Sequence, residues 1–268
     1  MPFGLSFTAI PNLESMLRDV LAEQPEMGEV MGLAPQVIQS SLLFSYIEGL
    51  FFVRALKLAG GWPAVDAVYR QPPMSTEQIL HPERYVEPDA PVALDFEVPA
   101  ALGEAVYDQV FGELGYRLYF AQHADELALS LDALAAADGW DGDRLRLYAT
   151  DQGNTLVALS LWDSAAEAAD FAAALELTLR ARHPGLVCER RDDLLRCALA
   201  SLSYRIERRA DTVLQLEGVR DPCDEACNAN PGSAERELAA TVWATAQRSA
   251  YESYDSARER AAANAKVE

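Results

Sequence analysis

The sequence predicts an α+β fold: a helical N-terminal part, then a mainly antiparallel sheet with packed helices, then a C-terminal helix. Three observations predict it. Residues 12–60 carry apolar side chains at helical spacing, residues 145–219 carry short alternating segments punctuated by turn residues, and the chain beyond Arg220 becomes rich in alanine and charge. With 268 residues, half of them apolar, the chain is long enough to bury a substantial core.

Taken in order, Leu13, Leu17, Val20 and Leu21 form one stripe of a helix over 12–24 that Pro25 stops. Pro35 opens a second helix, whose apolar positions Val37, Leu42, Leu43, Phe44, Leu50, Phe51, Val53 and Leu56 run nearly all round it before Gly60-Gly61 ends it. Such a helix needs cover on several sides, from this domain or from a missing segment or partner. Glu48, Arg54 and Lys57 interrupt the apolar stretch 33–60, so no transmembrane segment is expected. A short helix follows over 62–69. Ser75 and Gln78 make a capping box, and Pro82 halts that brief helix and pushes His81 toward an extended conformation. Residues 86–99, with their prolines, read as a connection.

Helical periodicity resumes over 100–111 and 114–136 and ends at Gly139. Residues 145–150 and 155–162 form a strand pair; Ser164 and Glu167 then cap a helix with Ala168, Phe171, Ala172, Leu175 and Leu179 as its buried stripe, ending near Arg182. Strands over 186–191, 194–199, 202–208 and 212–219 complete a sheet of about six strands, and residues 233–263 read as a long terminal helix. The expected division is a helical part over 1–85, an α+β domain over 86–220, and a cysteine-containing loop with the terminal helix over 221–268.

A two-residue turn at Asp192-Asp193 would set Cys188 directly opposite Cys197, which favours a cross-strand disulfide over two half-buried thiols. That pairing implies an oxidising compartment, periplasmic or extracellular, although no secretion signal opens the sequence. Cys223 and Cys227, four apart, read as loop thiols or a loop disulfide; as zinc ligands they lack a second pair. The 42 acidic against 22 basic side chains give a net charge of -20, which repels phosphate backbones and argues against nucleic acid as a partner. There is no GxSxG segment, and Gly60-Gly61 fits neither a P-loop nor a dinucleotide fingerprint. Asp138, Asp141 and Asp143 do not match an EF-hand and read as a solvated turn, and His123 with Asp125 and Glu126 as a polar helix face.

The segment YIEGLFFVRALKLAGGWPAVDAVYRQPPMSTEQILHPERY, residues 46–85, together with Gly112-Glu113-Leu114-Gly115, Gly139-Trp140-Asp141-Gly142-Asp143-Arg144 and Trp162-Asp163-Ser164, resembles the C-terminal part of a prokaryotic surface or lipoprotein-like family related to HExxH zinc metallopeptidases. The resemblance spans roughly residues 35–180. It implies a zinc-binding helix upstream of the matched region, whereas the only histidines here, His81, His123 and His183, are too far apart for two ligands one helical turn apart. No zinc ligand carries over, so no cofactor is expected in this chain, and zinc enters only if a missing or partner segment supplies it. Ser75, Thr76, Glu77, Gln78 and His81 could line the mouth of a cleft, with His81 polarising a carbonyl if another chain held the catalytic half; helix capping explains the same residues. The first functional expectation is thus a non-catalytic, metallopeptidase-related binding or assembly module with a protein partner. The alternatives are the cleft-forming half of a divided zinc metallopeptidase and a purely structural domain.

Overall fold

A computed structural model of the chain describes residues 33–87, 89–122, 135–150, 153–220 and 232–251. The expected helix over 12–24, the His123 helix face and the pair Cys223 and Cys227 lie outside the described residues, as does the end of the long terminal helix beyond residue 251. The described chain is α+β and falls into two compact units that part at Asp89 and Ala90.

The first unit is built on α1 (Gln36–Val68), with α2 (Thr76–Leu80) and α3 (Pro82–Val86). Gly61 interrupts α1 at φ 68°, a conformation open to glycine at little cost, so the helix breaks where Gly60-Gly61 predicts. Phe52, Leu56 and Val65 are buried and pack with Ile79 and Tyr85, the Phe52 and Tyr85 rings meeting edge to face at 5.2 Å. The described residues leave much of the remaining apolar circumference uncovered: Leu42, Tyr46, Leu58 and Trp62 are exposed, Tyr46 by 77%.

The second unit is a sheet with helices on both faces. Among the described residues its strands are β2 (Tyr107–Gln109), β3 (Trp140–Thr150), β4 (Gly153–Trp162), β5 (Val187–Arg191), β6 (Leu194–Leu199), β7 (Leu202–Arg209) and β8 (Thr212–Arg220). They pair antiparallel throughout, in the order β2-β3-β4-β8-β7-β6-β5. The seventh strand is a correction to the six expected. Residues 107–109, read as helix from their periodicity, pair with β3 instead, and helical structure nearby is limited to a 3₁₀ turn over Ala100–Leu102.

Helices α4 (Gly112–Ala121) and α5 (Ala165–Arg182) lie on one face, where Tyr116, Phe120, Phe171, Leu175 and Leu179 pack against Trp162, Tyr204 and Ile206. On the other face α6 (Ser233–Thr245) sets Leu238, Ala239 and Val242 against Val157, Leu159, Leu214 and Leu216. The period-2 alternation of β4 and β8 supplies both cores at once. Instead of running on from 233 as one long helix, the chain leaves helical geometry at Ala246 (ψ 124°). It becomes β9 (Gln247–Ala250), which pairs with β1 (Val92–Asp95). A sheet partner distant in sequence, and the Arg248 to Asp211 ion pair at 2.7 Å, override the local helix preference.

The hairpin between β5 and β6 has the expected register, and Cys188 and Cys197 are joined by a disulfide, their Cα atoms 4.0 Å apart. Asp192, Ala200 and Ala210, the first loop residues of three successive two-residue hairpins, all have φ near +50°. No helix among the described residues is long and apolar enough to cross a membrane.

Candidate functional site

On the sheet face covered by α4 and α5 there is a cavity of about 390 Å³. Its apolar walls include Leu145 and Leu147 from β3, Leu156 from β4 and Leu202 from β7, with Phe111, Tyr116, Tyr119 and Tyr204 adding aromatic surface. Gln215 and Glu217, two residues apart on β8, point to the same face, and Arg182 and His183 stand at the end of α5.

A bulge in β8 sets this geometry. Ser203 pairs with Val219 and Arg205 with Leu216, so Glu217 and Gly218 together oppose Tyr204. Gly218 has φ 71°, and a Cβ there would run into the carbonyl oxygen of Asn154. The extra residue shifts the strand's phase: Glu217 stays on the cavity face while Val219 joins Leu214 and Leu216 in the opposite core.

The polar groups of the cavity bond one another. Arg182 Nη1 donates to both Glu217 oxygens, at 2.8 and 3.0 Å, and to the Tyr119 hydroxyl at 2.8 Å. Gln215 Nε2 donates to Glu217 Oε1 at 2.6 Å. Burial and the Glu217 carboxylate push the Tyr119 hydroxyl far above its ordinary range, so it stays protonated. Burial alone would lower Arg182, but the adjoining Glu217 and Tyr119 raise it above its usual value. Burial, then the Arg182 charge, hold His183 below its ordinary value, which keeps the imidazole neutral at neutral pH.

Two residues of the lining carry a buried polar atom outside this network. Tyr116 is 2% exposed and its hydroxyl has no hydrogen-bond partner among the described residues; the same holds for the buried Nε2 of His183, whose ring lies 4.8 Å from that of Tyr204. Burial, with Asp143 and Tyr119 nearby, raises Tyr116 well above its ordinary value.

The motif residues of 112–115, 139–144 and 162–164 lie in the same unit as this cavity. Asp143 is not in a solvated turn, which corrects the expectation: it lies within β3 and is 1% exposed. Its carboxylate accepts from the backbone N–H groups of Phe111 and Gly112 and from the Trp140 indole N–H, each at 2.8 Å, so it fastens the start of α4 to the sheet. Burial pushes its carboxyl up to about 6, against the downward pull of the three donors. Glu113, fully buried, receives a hydrogen bond from Arg117 Nε at 2.7 Å, and Arg117 also pairs with Asp138 at 2.5 Å. Trp162 stacks on Phe171 with centroids 4.1 Å apart, and Ser164 caps α5 by accepting from the Glu167 N–H.

The residues expected at a cleft mouth lie together at α2. Ser75 caps the helix by accepting from the Gln78 N–H at 3.2 Å. Gln78 is buried, accepts from the Met74 N–H and donates to the Asp89 carbonyl. Glu77 is also buried and pairs with Arg84 at 3.0 Å; Thr76 is the first helical residue, and His81 closes the helix with its Nδ1 3.7 Å from Glu83. Their bonds hold the α2–α3 corner in shape. Tyr116, Tyr119, Arg182, Gln215 and Glu217 were not singled out by the sequence reading.

Residues 100–226 match a family described as Domain of unknown function (DUF8575), and every residue lining the cavity lies within that span. No curated protein and no solved structure matches the chain.

Proposed function

We propose that the chain is a non-catalytic binding or assembly module whose sheet-bearing unit holds a small molecule in the cavity beside α4 and α5. The observation that carries this reading is the closed exchange of bonds among Arg182, Glu217, Tyr119 and Gln215. A nucleophile or general base must be free to reach substrate, whereas these groups hold one another and shape a mainly apolar recess. A relationship to zinc metallopeptidases is part of the proposal and rests on the quoted motifs. Asp143 and Glu113 within those motifs serve the scaffold, which fits a fold kept for binding. The disulfide favours an oxidising compartment as the place of action.

The test is elemental analysis, peptide hydrolysis and compound-induced thermal shift on one natively purified sample. A stabilising compound with no chelator-sensitive cleavage is the expected result. About one zinc per chain with chelator-sensitive cleavage would sink the reading.

The exposed apolar residues Leu42, Tyr46, Leu58 and Trp62 of α1 favour a second reading, in which the helical unit docks on a protein partner, including the zinc-bearing half of a divided peptidase. Native co-purification followed by light scattering tests it. A monodisperse monomer whose solution behaviour is unchanged in a Tyr46→Glu, Trp62→Glu variant would refute it.

A further inference from the structure

We infer that the cavity takes a small neutral carboxamide on an apolar body, its carbonyl oxygen accepting from the Tyr204 hydroxyl and its N–H donating to the Gln215 side-chain oxygen. This rests on the binding-module reading and adds the class of ligand. Tyr204 and Gln215 both line the cavity and are only 3% and 6% exposed. Gln215 Nε2 is committed to Glu217 at 2.6 Å, which leaves its Oε1 to accept. Neither that oxygen nor the Tyr204 hydroxyl has a hydrogen-bond partner among the described residues, and neither is sealed from solvent as the Tyr116 hydroxyl and His183 Nε2 are. Buried polar groups in folded proteins almost always find a partner, so two reachable ones that no protein group serves mark where bonds remain to be made. They come from neighbouring strands on one face: Tyr204 on β7 opposes the Glu217 bulge, and Gln215 precedes that glutamate by two residues on β8.

The other polar groups of the wall favour a ligand without charge. Arg182 makes its bonds among the described residues through Nη1 alone, so Nε and Nη2 are further donors for a ligand oxygen, but Glu217 already offsets its charge at 2.8 and 3.0 Å. A carboxylate there would be the second beside one guanidinium in a mainly apolar recess, and would give up its water to enter. A cation would face that same guanidinium. Burial and then Glu217, against the pull of Arg182, hold the Tyr204 hydroxyl above its ordinary value, so it stays protonated and can donate at neutral pH. Asn154 is exposed, where water serves its amide, and so does little to select the ligand. A carboxamide supplies the acceptor and the donor together at no net charge. The leucine and aromatic wall suits a hydrocarbon body, and at about 390 Å³ the cavity is near the small end of ligand sites, enough for a one- or two-ring molecule.

The experiment is equilibrium dialysis of the full chain at pH 7 with four probes on one ring system: 1-naphthamide, 1-acetylnaphthalene, 1-naphthoate and naphthalene, each against wild type and Tyr204→Phe. The variant loses a hydroxyl that no protein group uses, so it is expected to fold and to melt as wild type does. The ketone, which keeps the carbonyl and lacks the N–H, takes the place of a Gln215 variant, since that would also strip Glu217 of a donor. Naphthamide should bind wild type most tightly, and the ketone about two- to tenfold more weakly, the span of one neutral hydrogen bond. Naphthoate should bind about tenfold more weakly or not at all. Tyr204→Phe should weaken both naphthamide and the ketone by about two- to tenfold and leave naphthalene unchanged. Naphthoate binding as tightly as naphthamide would overturn the neutral class while leaving a binding module. Equal binding of naphthamide and the ketone would overturn the bond to Gln215 and with it the carboxamide, and naphthamide binding unaltered in Tyr204→Phe would overturn the seat. Failure of all four probes would overturn the inference, and a blank compound-induced thermal shift on the same sample would remove the binding-module reading as well.

Discussion

Replacing Asp143 by alanine leaves three donors, the N–H groups of Phe111 and Gly112 and the Trp140 indole, without their acceptor in a place where Asp143 itself is 1% exposed. A buried donor stripped of its partner costs about 1–3 kcal/mol. Three of them cost more than the relief of removing a buried carboxylate returns, and the expected net loss is about 3–5 kcal/mol. That is a large fraction of the roughly 5–15 kcal/mol that holds a typical domain folded. Asp143→Asn is the finer probe. Its oxygen can keep the Gly112 and Trp140 bonds, but its NH₂ then faces the Phe111 N–H, so a loss of about 1–3 kcal/mol is expected. Urea unfolding followed by circular dichroism and by tryptophan emission measures both. The pH dependence supplies a second sign. The carboxyl is raised to about 6 in the folded chain from an ordinary value of 3.8, so the folded state binds the extra proton between those limits. The contribution of this group is therefore fully present below about pH 4 and is lost as pH rises through 6, by about 3 kcal/mol. The Asn variant should lack that component of the profile. An alanine variant within 1 kcal/mol of wild type, or a wild-type and Asn profile of identical slope over pH 4–6, would refute the role assigned to Asp143.

Glu235, 1% exposed at the start of α6, accepts from Arg205 at 2.5 Å and pairs with Arg196 at 2.7 Å; Glu235→Ala should cost about 3 kcal/mol, measured by urea unfolding, with a non-additive double mutant with Arg205→Met. Ala200→Gly and Ala210→Gly, each relieving a positive φ at a hairpin, should raise stability by up to about 1 kcal/mol, read as a thermal midpoint a few degrees higher. Removing the disulfide by Cys188→Ala with Cys197→Ala frees a short loop and should lower stability by about 2–3 kcal/mol in non-reducing buffer, with no further loss on adding reductant. Arg182→Met should take the charged partner from Glu217, which keeps the Gln215 donor at 2.6 Å, and cost about 3 kcal/mol by urea unfolding, part of which Glu217→Leu in the same chain should restore.

What was legible in the sequence is what is decided locally. The Cys188 and Cys197 pairing follows from a two-residue turn, because loop length fixes hairpin register and register fixes which side chains face each other. The caps at Ser75 and Ser164 and the break at Gly61 are likewise properties of a few adjacent residues. The misreadings fall where a distant segment decides. Residues 247–250 continue a sequence suited to helix, yet β1, about 150 residues earlier, offers an edge to pair with, and hydrogen bonds to it outweigh a preference worth tenths of a kcal/mol per residue. Asp143 belongs to a run of polar residues that reads as a surface turn. It becomes a buried acceptor because the N–H groups opening α4, over 30 residues upstream, arrive against it.

The cavity was illegible for the same reason in stronger form. Along β8, Val213, Gln215 and Glu217 alternate with Leu214 and Leu216, and in isolation that pattern assigns glutamine and glutamate to a solvated face. The assignment fails because β8 sits between β4 and β7 in the middle of the sheet, under α4 and α5, and strand order is not written in any local pattern. A carboxylate forced into that position needs a cation. Arg182 at the end of α5 is the residue that reaches it, where it also suits the negative end of the helix. The one local signal was glycine following glutamate in a β-rich segment, since a glycine inside a strand marks a bulge or a close backbone approach, and Gly218 is both. Its bulge keeps Glu217 on the cavity face and returns Val219 to the opposite core. A Gly218→Ala substitution therefore tests whether cavity and core depend on one residue: steric conflict with Asn154 should lower stability and probe binding together, and loss of only one would show that they are separable.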